Sequence, residues 1–275
     1  MADARISSDT QSEQTIAQAQ EAAEPAPVPP RPFWHPGTFI ALLRGRPLLV
    51  GVALLTVLFV LLTGAVINAD LRPTPWDYYI TLQVQLLPYM PVGAMLVGVS
   101  AFGFAPWNWL LMLAVIALML LFRWRTEAIF TGISSLGGLS AEIVKNIVDR
   151  PRPSPDLVHV VSQLHTFSFP SGHVTGYVVF FGFLFYLAYT LMQRRSLLRW
   201  ALLEVLAIPV LLVGLSRVYM GQHWASDALA GYALGFAYLF VVIELYRLWQ
   251  ARHPKTPTVP AATYAEVARD AANPS

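Results

Sequence analysis

Long apolar runs, separated by short charged segments, alternate along the middle of the chain. A bilayer-spanning helix needs about 20 predominantly apolar residues, and several runs come close to that length. They predict spans at about 48–68, 106–123, 126–147, 172–193, 199–217 and 224–247. The pattern therefore predicts an all-α fold, a polytopic membrane helix bundle with about six transmembrane helices.

One further apolar segment does not fit a simple span. No charged residue occurs from Tyr78 to Phe122, which is long enough for more than one crossing, and three prolines interrupt this stretch. We predict an additional interfacial or re-entrant helix at about 84–103. The alternative is that this segment also crosses the bilayer, which gives seven spans.

The positive charges favour six spans over seven. Cytoplasmic loops of membrane proteins carry an excess of Lys and Arg. Clusters flank the predicted spans at Arg44 and Arg46, at Arg123 and Arg125, at Arg194, Arg195 and Arg199, and at Arg247, Arg252 and Lys255. Six spans place every cluster on one side, whereas seven move the first cluster to the other side. We expect an integral plasma (inner) membrane protein, multi-pass, with both termini in the cytoplasm.

Composition divides the chain into three parts. The N-terminal stretch is rich in Ala, Gln, Glu and Pro and has almost no large apolar side chains, a composition that predicts disorder. We expect 1–46 to be a disordered cytoplasmic N-terminal region and 47–248 to be the membrane domain that carries the polar motifs. Residues 249–275 are expected to form a polar C-terminal tail.

Composition also excludes several classes of function. The 275 residues are 56% hydrophobic and 12% charged, whereas a typical soluble domain has about 25% charged residues. A net charge of +2 gives no indication of a nucleic-acid partner. The chain has no cysteine, which excludes disulfides and thiolate metal sites.

Three polar motifs interrupt the apolar pattern, each at the end of a predicted span. They lie at 145–153 (KNIVDRPRP), 170–173 (PSGH) and 216–227 (SRVYMGQHWASD). The pattern reads K-x6-R-P, then P-S-G-H, then S-R-x5-H-x3-D. With six spans all three motifs face the extracytoplasmic side, so their side chains can meet at one surface.

Three cations in these motifs suit a phosphate. Phosphoryl transfer without a metal spreads negative charge over three equatorial oxygens, on which hydrogen-bond donors must converge. Lys145, Arg152 and Arg217 supply such donors, the two guanidiniums with a forked geometry. Ser171 and Gly172 precede a predicted helix, whose N-terminal N–H groups form an anion site. These five residues are the phosphate-binding candidates.

The same motifs hold two histidines and a carboxylate. His223 and Asp227 are four residues apart at the start of a predicted helix, so they are expected to share a face. A carboxylate beside one imidazole nitrogen makes the other nitrogen a better nucleophile. His173 begins another helix, where it can protonate a departing oxygen. His223, Asp227 and His173 are the catalytic candidates.

Together the motifs resemble the signature of the type-2 phosphatidic acid phosphatase superfamily, which includes membrane lipid phosphatases and the vanadium haloperoxidases. The signature positions are filled by Lys145, Arg152, Pro153, Pro170, Ser171, Gly172, His173, Ser216, Arg217, His223 and Asp227. The resemblance implies a six-helix membrane bundle and a metal-independent mechanism with a phosphohistidine intermediate and no cofactor. It implies His223 as the nucleophile, Asp227 as its orienting group and His173 as the general acid, with the phosphate-binding candidates around them.

We therefore expect a metal-independent lipid phosphate phosphatase that hydrolyses a lipid phosphate or diphosphate at the extracytoplasmic face. Undecaprenyl diphosphate is the first choice, since many small bacterial members of the superfamily act on it; phosphatidic acid and phosphatidylglycerol phosphate are the alternatives. The same site chemistry also permits a lipid phosphotransferase. A haloperoxidase is disfavoured because those relatives are soluble, and a transporter or scaffold because every motif residue is present. The expected partners are the lipid substrate and the bilayer, not a nucleic acid, and the oligomeric state stays open.

Other polar residues near the motifs carry less specific expectations. His159 and His165 lie between the first two motifs and match no signature position, so we expect solvated loop histidines. Arg150 is expected at the surface, with contact to a headgroup as the alternative. Glu142 precedes Lys145 by three residues on the same predicted helix, a spacing that allows an ion pair.

Overall fold

Within residues 47–253, which the computed structural model describes, all regular secondary structure is helical. The helices are α1 (Pro47–Asn68), α2 (Pro75–Gln85), α3 (Ala94–Ala101), α4 (Trp107–Leu121), α5 (Arg125–Ser135), α6 (Gly137–Val148), α7 (Gly172–Leu191), α8 (Leu197–Tyr219) and α9 (Ala225–Arg252). A π-helical turn, Tyr89–Gly93, precedes α3. The predicted all-α class is confirmed. Outside the described residues lie the N-terminal region, most of the C-terminal tail, and Arg44, Arg46 and Lys255.

Four of these helices are long and apolar enough to cross a bilayer: α1, α7, α8 and α9. They correspond to the first, fourth, fifth and sixth predicted spans, and the predicted membrane helix bundle is confirmed. The second predicted span is α4, an apolar helix of 15 residues. The third is interrupted at Leu136, which separates α5 from α6. The expectation of about six membrane helices is consistent with this set.

A bent helical pair occupies the place of the expected re-entrant helix. α2 begins with a capping box, in which Thr74 and Asp77 exchange hydrogen bonds. The axes of α2 and of the segment Tyr89–Ala101 differ by 118°. Pro88 lies in the break, and proline disfavours helical geometry in the residue before it. Such a pair is either a broken span or a re-entrant loop, so the re-entrant helix expected at 84–103 and the alternative of a further crossing both stay predictions.

The second half of this pair, α3, packs one face against the bundle. Leu96 and Ser100 have no exposed surface, and Ser216 of α8 donates a hydrogen bond of 2.5 Å to the Leu96 carbonyl. Tyr177 of α7 donates a hydrogen bond of 2.5 Å to the Val99 carbonyl. α3 is therefore fixed beside two helices that carry motif residues.

The long helices α7, α8 and α9 pack against one another, and α1 packs against α9. Gly235 of α9 lies so close to α7 that an added Cβ would be 2.9 Å from Val178, and small residues permit such close approach of membrane helices. Within α1, by contrast, Val66 is the one buried residue. The other apolar side chains of α1 suit an outer surface that faces lipid.

Connectivity brings the three motifs to one end of the bundle. The first motif begins in the last turn of α6, and the second ends in the first turn of α7. The third motif extends from the last turn of α8 to the first turn of α9. Since α6 and α8 run toward this end while α7 and α9 run away from it, the motif side chains meet there.

Candidate active site

Side chains from all three motifs converge where α6 and α8 end and α7 and α9 begin. Lys145 lies in the last turn of α6, and Arg217 lies in the last turn of α8. Arg152 lies in the loop before α7, His173 in the first turn of α7, and His223 just before α9. All of these except Arg217 line one cavity.

His223 and Asp227 meet through a helix cap rather than along a helix face. α9 begins at Ala225, so His223 precedes the helix and the expectation of a common helical face is wrong. Asp227 Oδ2 accepts a hydrogen bond of 2.8 Å from the Trp224 N–H, which turns the preceding chain toward the carboxylate. His223 Nδ1 thereby lies 3.6 Å from Asp227 Oδ2, within ion-pair range but longer than a hydrogen bond.

The other ring nitrogen of His223 accepts a hydrogen bond. Arg152 Nη1 lies 3.1 Å from His223 Nε2, and a guanidinium has only donors. Nε2 is therefore the unprotonated nitrogen, and the ring proton is on Nδ1, toward Asp227. Burial lowers the pKa of His223 well below its usual range, and the positive charge of Arg152 lowers it further. The imidazole is consequently neutral, and the electron pair of Nε2 faces the Arg152 guanidinium.

Arg152 is held by the two loops that flank the site. Its Nε donates a hydrogen bond of 2.7 Å to the Thr166 carbonyl, and its Nη2 donates one of 2.9 Å to the Thr166 hydroxyl. Nη1 donates to the Gln222 carbonyl at 2.6 Å. The loops before α7 and before α9 thus share one guanidinium, which fixes it beside His223.

Arg217 is wholly buried but only partly hydrogen-bonded. Nη1 donates a hydrogen bond of 2.7 Å to Ser100 Oγ of α3. The guanidinium carbon lies 5.1 Å from the centre of the Phe104 ring, a cation–π distance. Within the described residues, Nε and Nη2 have no hydrogen-bond partner. Buried donors without a partner are costly, and an anion bound at this point satisfies them.

Phe104 also packs against His173, with the two ring centres 4.6 Å apart. The preceding backbone passes so close that a Cβ on Gly103 would be 2.3 Å from His173 Cδ2, so glycine is required there. His173 Nε2 is buried and has no hydrogen-bond partner among residues 47–253. The chain that follows α3 therefore fixes the His173 ring and leaves this nitrogen available.

Lys145 forms the ion pair that its spacing allows. Its Nζ lies 2.5 Å from Glu142 Oε1, and the Lys145 side chain is 8% exposed whereas that of Glu142 is 53% exposed. Gly172 lies beside this pair, since an added Cβ would be 3.1 Å from Lys145 Nζ. In the described part of the chain, the buried Ser171 hydroxyl has no hydrogen-bond partner. The first two motifs thus form one corner with the character of an anion site.

Arg150 is fully buried, so the expectation that it lies at the surface is wrong. Its Nη1 lies 2.5 Å from Asp227 Oδ1, and its Nη2 lies 2.8 Å from Asp77 Oδ2. Two carboxylates compensate for the cost of burying its charge. Sequence reasoning missed Asp77, whose one local signal is the capping box at the start of α2. His159 and His165 are exposed, as expected.

An apolar cavity of about 490 Å³ leads away from the motif side chains. Its walls come from α4, α5, α6 and α7 and include Trp109, Met112, Leu139, Gly176 and Phe180. The side chains of Lys145, Arg152, His173 and His223 form its polar end. The cavity therefore joins a cationic, histidine-containing end to an apolar space between helices.

A family model described as the PAP2 superfamily matches residues 110–251, more than half of the chain. The matched range contains all three motifs.

Several curated relatives are similar to this chain. Phosphatidylglycerophosphatase B of Bacillus subtilis is 32% identical over 102 residues, which cover 37% of this chain and 48% of that protein, about half of its length. Lipid A 4'-phosphatase of Porphyromonas gingivalis is 27% identical over 177 residues, 58% of this chain and 71% of that protein. Decaprenylphosphoryl-5-phosphoribose phosphatase of Mycobacterium tuberculosis is 33% identical over 143 residues, 50% of this chain and 71% of that protein.

The fold is similar to a solved structure, the crystal structure of the first transmembrane PAP2 type phosphatidylglycerolphosphate phosphatase from Bacillus subtilis. The TM-score is 0.60 at 21% sequence identity, and the match covers 75% of this chain and 98% of that chain. The likeness concerns the fold and agrees with a transmembrane helix bundle.

Proposed function

Since the chain belongs to the PAP2 superfamily, we propose that it is a membrane phosphatase that hydrolyses the phosphate or diphosphate of a lipid. One observation carries the proposal: a neutral histidine, His223, lies between Arg152 and Asp227 at the polar end of an otherwise apolar cavity. The three relatives are all named as phosphatases, which supports the reaction class.

In the first step, Nε2 of His223 attacks the phosphorus, and the bond from phosphorus to the lipid oxygen breaks. His173 enters this step as the imidazolium, with both ring nitrogens protonated, and donates one of these protons to the lipid oxygen. The oxygen departs as a lipid alcohol, or as a lipid monophosphate when the substrate is a diphosphate. The phosphohistidine ring is positively charged, and its Nδ1–H faces the carboxylate of Asp227, which stabilises it.

In the second step, water attacks the phosphohistidine and loses a proton to His173. The bond from phosphorus to Nε2 breaks, inorganic phosphate departs, and His223 returns to its neutral form. His173 therefore serves as an acid in one step and as a base in the other. Both steps use only water and side chains of this chain.

Lys145, Arg152 and Arg217 are proposed to bind the equatorial phosphate oxygens, together with the chain at Ser171 and Gly172. Arg217 Nε and Nη2 have no partner among the described residues, which suits this task. Arg152 Nη1 hydrogen-bonds the attacking nitrogen before substrate binds, and it can pass to a phosphate oxygen as the new bond forms. Donors fixed in a site that excludes water stabilise charge that develops in the transition state.

The apolar cavity supports a lipid substrate rather than a water-soluble phosphate ester. Pockets lined by apolar side chains with a few polar groups bind ligands of the same mixed character. Each CH₂ group of a lipid tail that is buried contributes about 0.8 kcal/mol. The tail therefore adds affinity, while the motif residues bind the phosphate.

Undecaprenyl diphosphate is our first choice of substrate, with phosphatidic acid and phosphatidylglycerol phosphate as the alternatives. The three relatives are named for different lipids, so similarity to them does not choose between these substrates. Selection between tails is then expected in the cavity walls, for example at Trp109 and Phe180.

We further propose that 47–248 forms the phosphatase domain of a multi-pass plasma (inner) membrane protein, with both termini cytoplasmic and the site extracytoplasmic. Arg123, Arg194 and Arg195 lie in the loops at the end of the bundle opposite the motifs. Positive charge concentrates in cytoplasmic loops, which supports this orientation.

Phosphate release by the purified, full-length protein in detergent tests the proposal. The panel contains the three lipids named above and, as a soluble ester, glycerol 3-phosphate, all with a metal chelator present. We expect release from at least one lipid and much slower release from the soluble ester. His223→Ala removes the activity, whereas His159→Ala, which alters an exposed imidazole, leaves it unchanged.

Absence of release from every lipid by the folded protein contradicts the proposal. Loss of the lipid phosphate without release of inorganic phosphate indicates a phosphotransferase, and product analysis of the lipids identifies the acceptor. Undiminished release by His223→Ala contradicts the assigned nucleophile.

A further inference from the structure

A buried ionic network connects α2 to the candidate nucleophile. Arg150 lies between two carboxylates, those of Asp77 and Asp227, and none of the three residues has exposed surface. We propose that Arg150, held in place by Asp77, is a positioning residue that fixes Asp227 against His223. The inference rests on the proposed function, in which His223 is the nucleophile.

Each carboxylate oxygen of Asp227 has a defined partner. Oδ1 accepts a hydrogen bond of 2.5 Å from Arg150 Nη1. Oδ2 accepts one of 2.8 Å from the Trp224 N–H and lies 3.6 Å from His223 Nδ1. Because both oxygens are engaged, the carboxylate cannot rotate freely, and its Oδ2 stays directed toward the imidazole.

The guanidinium of Arg150 is itself fully occupied. Besides Asp227, Nη1 donates a hydrogen bond of 2.6 Å to Ser226 Oγ, and Nη2 donates one of 2.8 Å to Asp77 Oδ2. Nε also donates a hydrogen bond of 3.4 Å to the Leu71 carbonyl, and Nη2 donates one of 3.2 Å to the Arg72 carbonyl. A planar guanidinium with this many fixed partners has one orientation. It therefore also fixes the orientation of the Asp227 carboxylate that it binds.

Asp77 anchors the network from α2. The Ser226 N–H donates to Asp77 Oδ1 at 2.8 Å, and the Ser226 hydroxyl donates to Oδ2 at 2.9 Å. Asp77 Oδ2 also accepts from the Thr74 N–H at 3.2 Å. Asp77 lies before the range 110–251 that the family model matches, so this anchor comes from a part of the chain outside the matched range.

The charges of the network suit the proposed reaction. One guanidinium between the carboxylates of Asp77 and Asp227 leaves one negative charge unbalanced within this buried group. Phosphorylation of His223 creates a positive ring beside Asp227. A buried charge without a partner is strongly unfavourable, so the excess negative charge stabilises the ring once it becomes positive.

A purely structural ion pair predicts a different result from a positioning residue. A structural pair stabilises the fold, and its loss weakens the protein whether or not Asp227 is intact. A positioning residue acts through Asp227, so its loss has little further effect once Asp227 is already altered. Comparison of single and double variants therefore separates the two roles.

The test measures kcat and KM for the full-length wild type, Asp77→Asn, Asp227→Asn and the double variant, with phosphate release from the best lipid as the readout. We expect Asp77→Asn to lower kcat about ten- to a hundred-fold, by analogy with the loss of groups that orient the ligands of a metal site. KM should change less than about twofold, because Asp77 makes no contact with the phosphate-binding candidates. Asp70→Asn, which alters an exposed carboxylate before α2, is the matched control and should match the wild type.

In the Asp227→Asn background, the additional loss caused by Asp77→Asn should fall below about threefold. If the kcat losses of Asp77→Asn and Asp227→Asn multiply in full in the double variant, the proposal is overturned and Asp77 has a structural role. If Asp77→Asn does not fold, Ser226→Ala takes its place in the same comparison, because Ser226 bridges Arg150 and Asp77. Full kcat in Asp77→Asn overturns this inference alone, whereas an inactive wild type contradicts the proposed function.

Discussion

Environment separates the histidines of this chain more clearly than residue type does. His159 and His165 are exposed in the loop before α7, whereas His223 is 1% exposed. Burial and the positive charge of Arg152 both oppose protonation of His223 and lower its pKa. An imidazole is thus a solvated group at His159 and His165 and a neutral candidate nucleophile at His223.

The lowered pKa of His223 predicts the acid side of the pH profile. The groups that face it are Lys145, Arg152, His173, Arg217 and Asp227. A lowered pKa keeps most of the His223 rings neutral at pH 6.5, the ordinary histidine value, so protonation of His223 itself should remove less than half of the rate of attack on phosphorus at that pH. Single-turnover rates from pH 5 to 8 check this, after correction for substrate protonation followed by phosphorus NMR. An acid midpoint at or above 6.5 contradicts it.

Gly103 provides a steric prediction for His173. An alanine Cβ at this position would be 2.3 Å from His173 Cδ2, so the imidazole must move. Loss of general acid catalysis costs about a hundred-fold or more, and we expect Gly103→Ala to lower kcat by this order. Gly98→Ala is the matched control, since nothing lies within 4 Å of its added Cβ. Equal kcat in the two variants contradicts the role of His173.

At the scale of the elements, the long apolar helices are the part of the fold that sequence predicts best. α1, α7, α8 and α9 follow from unbroken apolar runs of span length, because burial in lipid requires just that pattern. The interruption at Leu136 was not predicted, since apolar content alone does not reveal where one helix ends and the next begins. The position of α3 against α8 depends on contacts with a helix distant in sequence, which a local pattern does not contain.

For the site as well, sequence predicts what depends on local pattern and misses what depends on contacts between distant residues. The motif residues could be chosen because their types and spacing suit a phosphate. Ser100, Phe104, Asp77 and Arg150 were missed or misplaced, because each takes its role from a partner far away in sequence. Arg150 even lies inside the first motif, but its burial depends on Asp77, which no local signal connects to it.

The contact between α3 and α8 predicts a defect in substrate binding. Ser100→Ala removes the acceptor of Arg217 Nη1, so the guanidinium loses one of its fixed contacts. A hydrogen bond to a charged group contributes about 1.5–3 kcal/mol, and we expect kcat/KM to fall at least about tenfold. Thr190→Ala, at the far end of α7, is the control. Unchanged kcat/KM in Ser100→Ala contradicts a role for α3 in placing Arg217.

At the scale of the whole molecule, the two ends of the bundle differ in chemistry. Among the described residues, the motif end holds two histidines and Arg217 with buried nitrogen atoms that have no hydrogen-bond partner, and Arg199 at the other end has one such nitrogen. The other end carries exposed arginines in short loops. This asymmetry supports the proposed extracytoplasmic position of the motif end, in which the headgroup of an outer-leaflet lipid would meet the site and its tail would lie between helices.

Cysteine labelling tests this orientation, and the chain itself has no cysteine. His165→Cys lies at the motif end, and Gln193→Cys lies between α7 and α8 at the other end; both positions are exposed. In intact cells that express the protein, a membrane-impermeant maleimide should label His165→Cys only. Labelling of Gln193→Cys alone contradicts the proposed topology, and labelling of both after permeabilisation is the control for reactivity.

The central claim is that phosphate is transferred to His223. Rapid-quench reaction of the wild type with a lipid labelled in its transferable phosphate, stopped at alkaline pH to preserve phosphohistidine and followed by peptide mapping, tests it most directly. We predict label on His223 in the peptide that joins α8 to α9, and none in His223→Ala. Label on another residue, or lipid hydrolysis by His223→Ala at the wild-type rate, contradicts the claim.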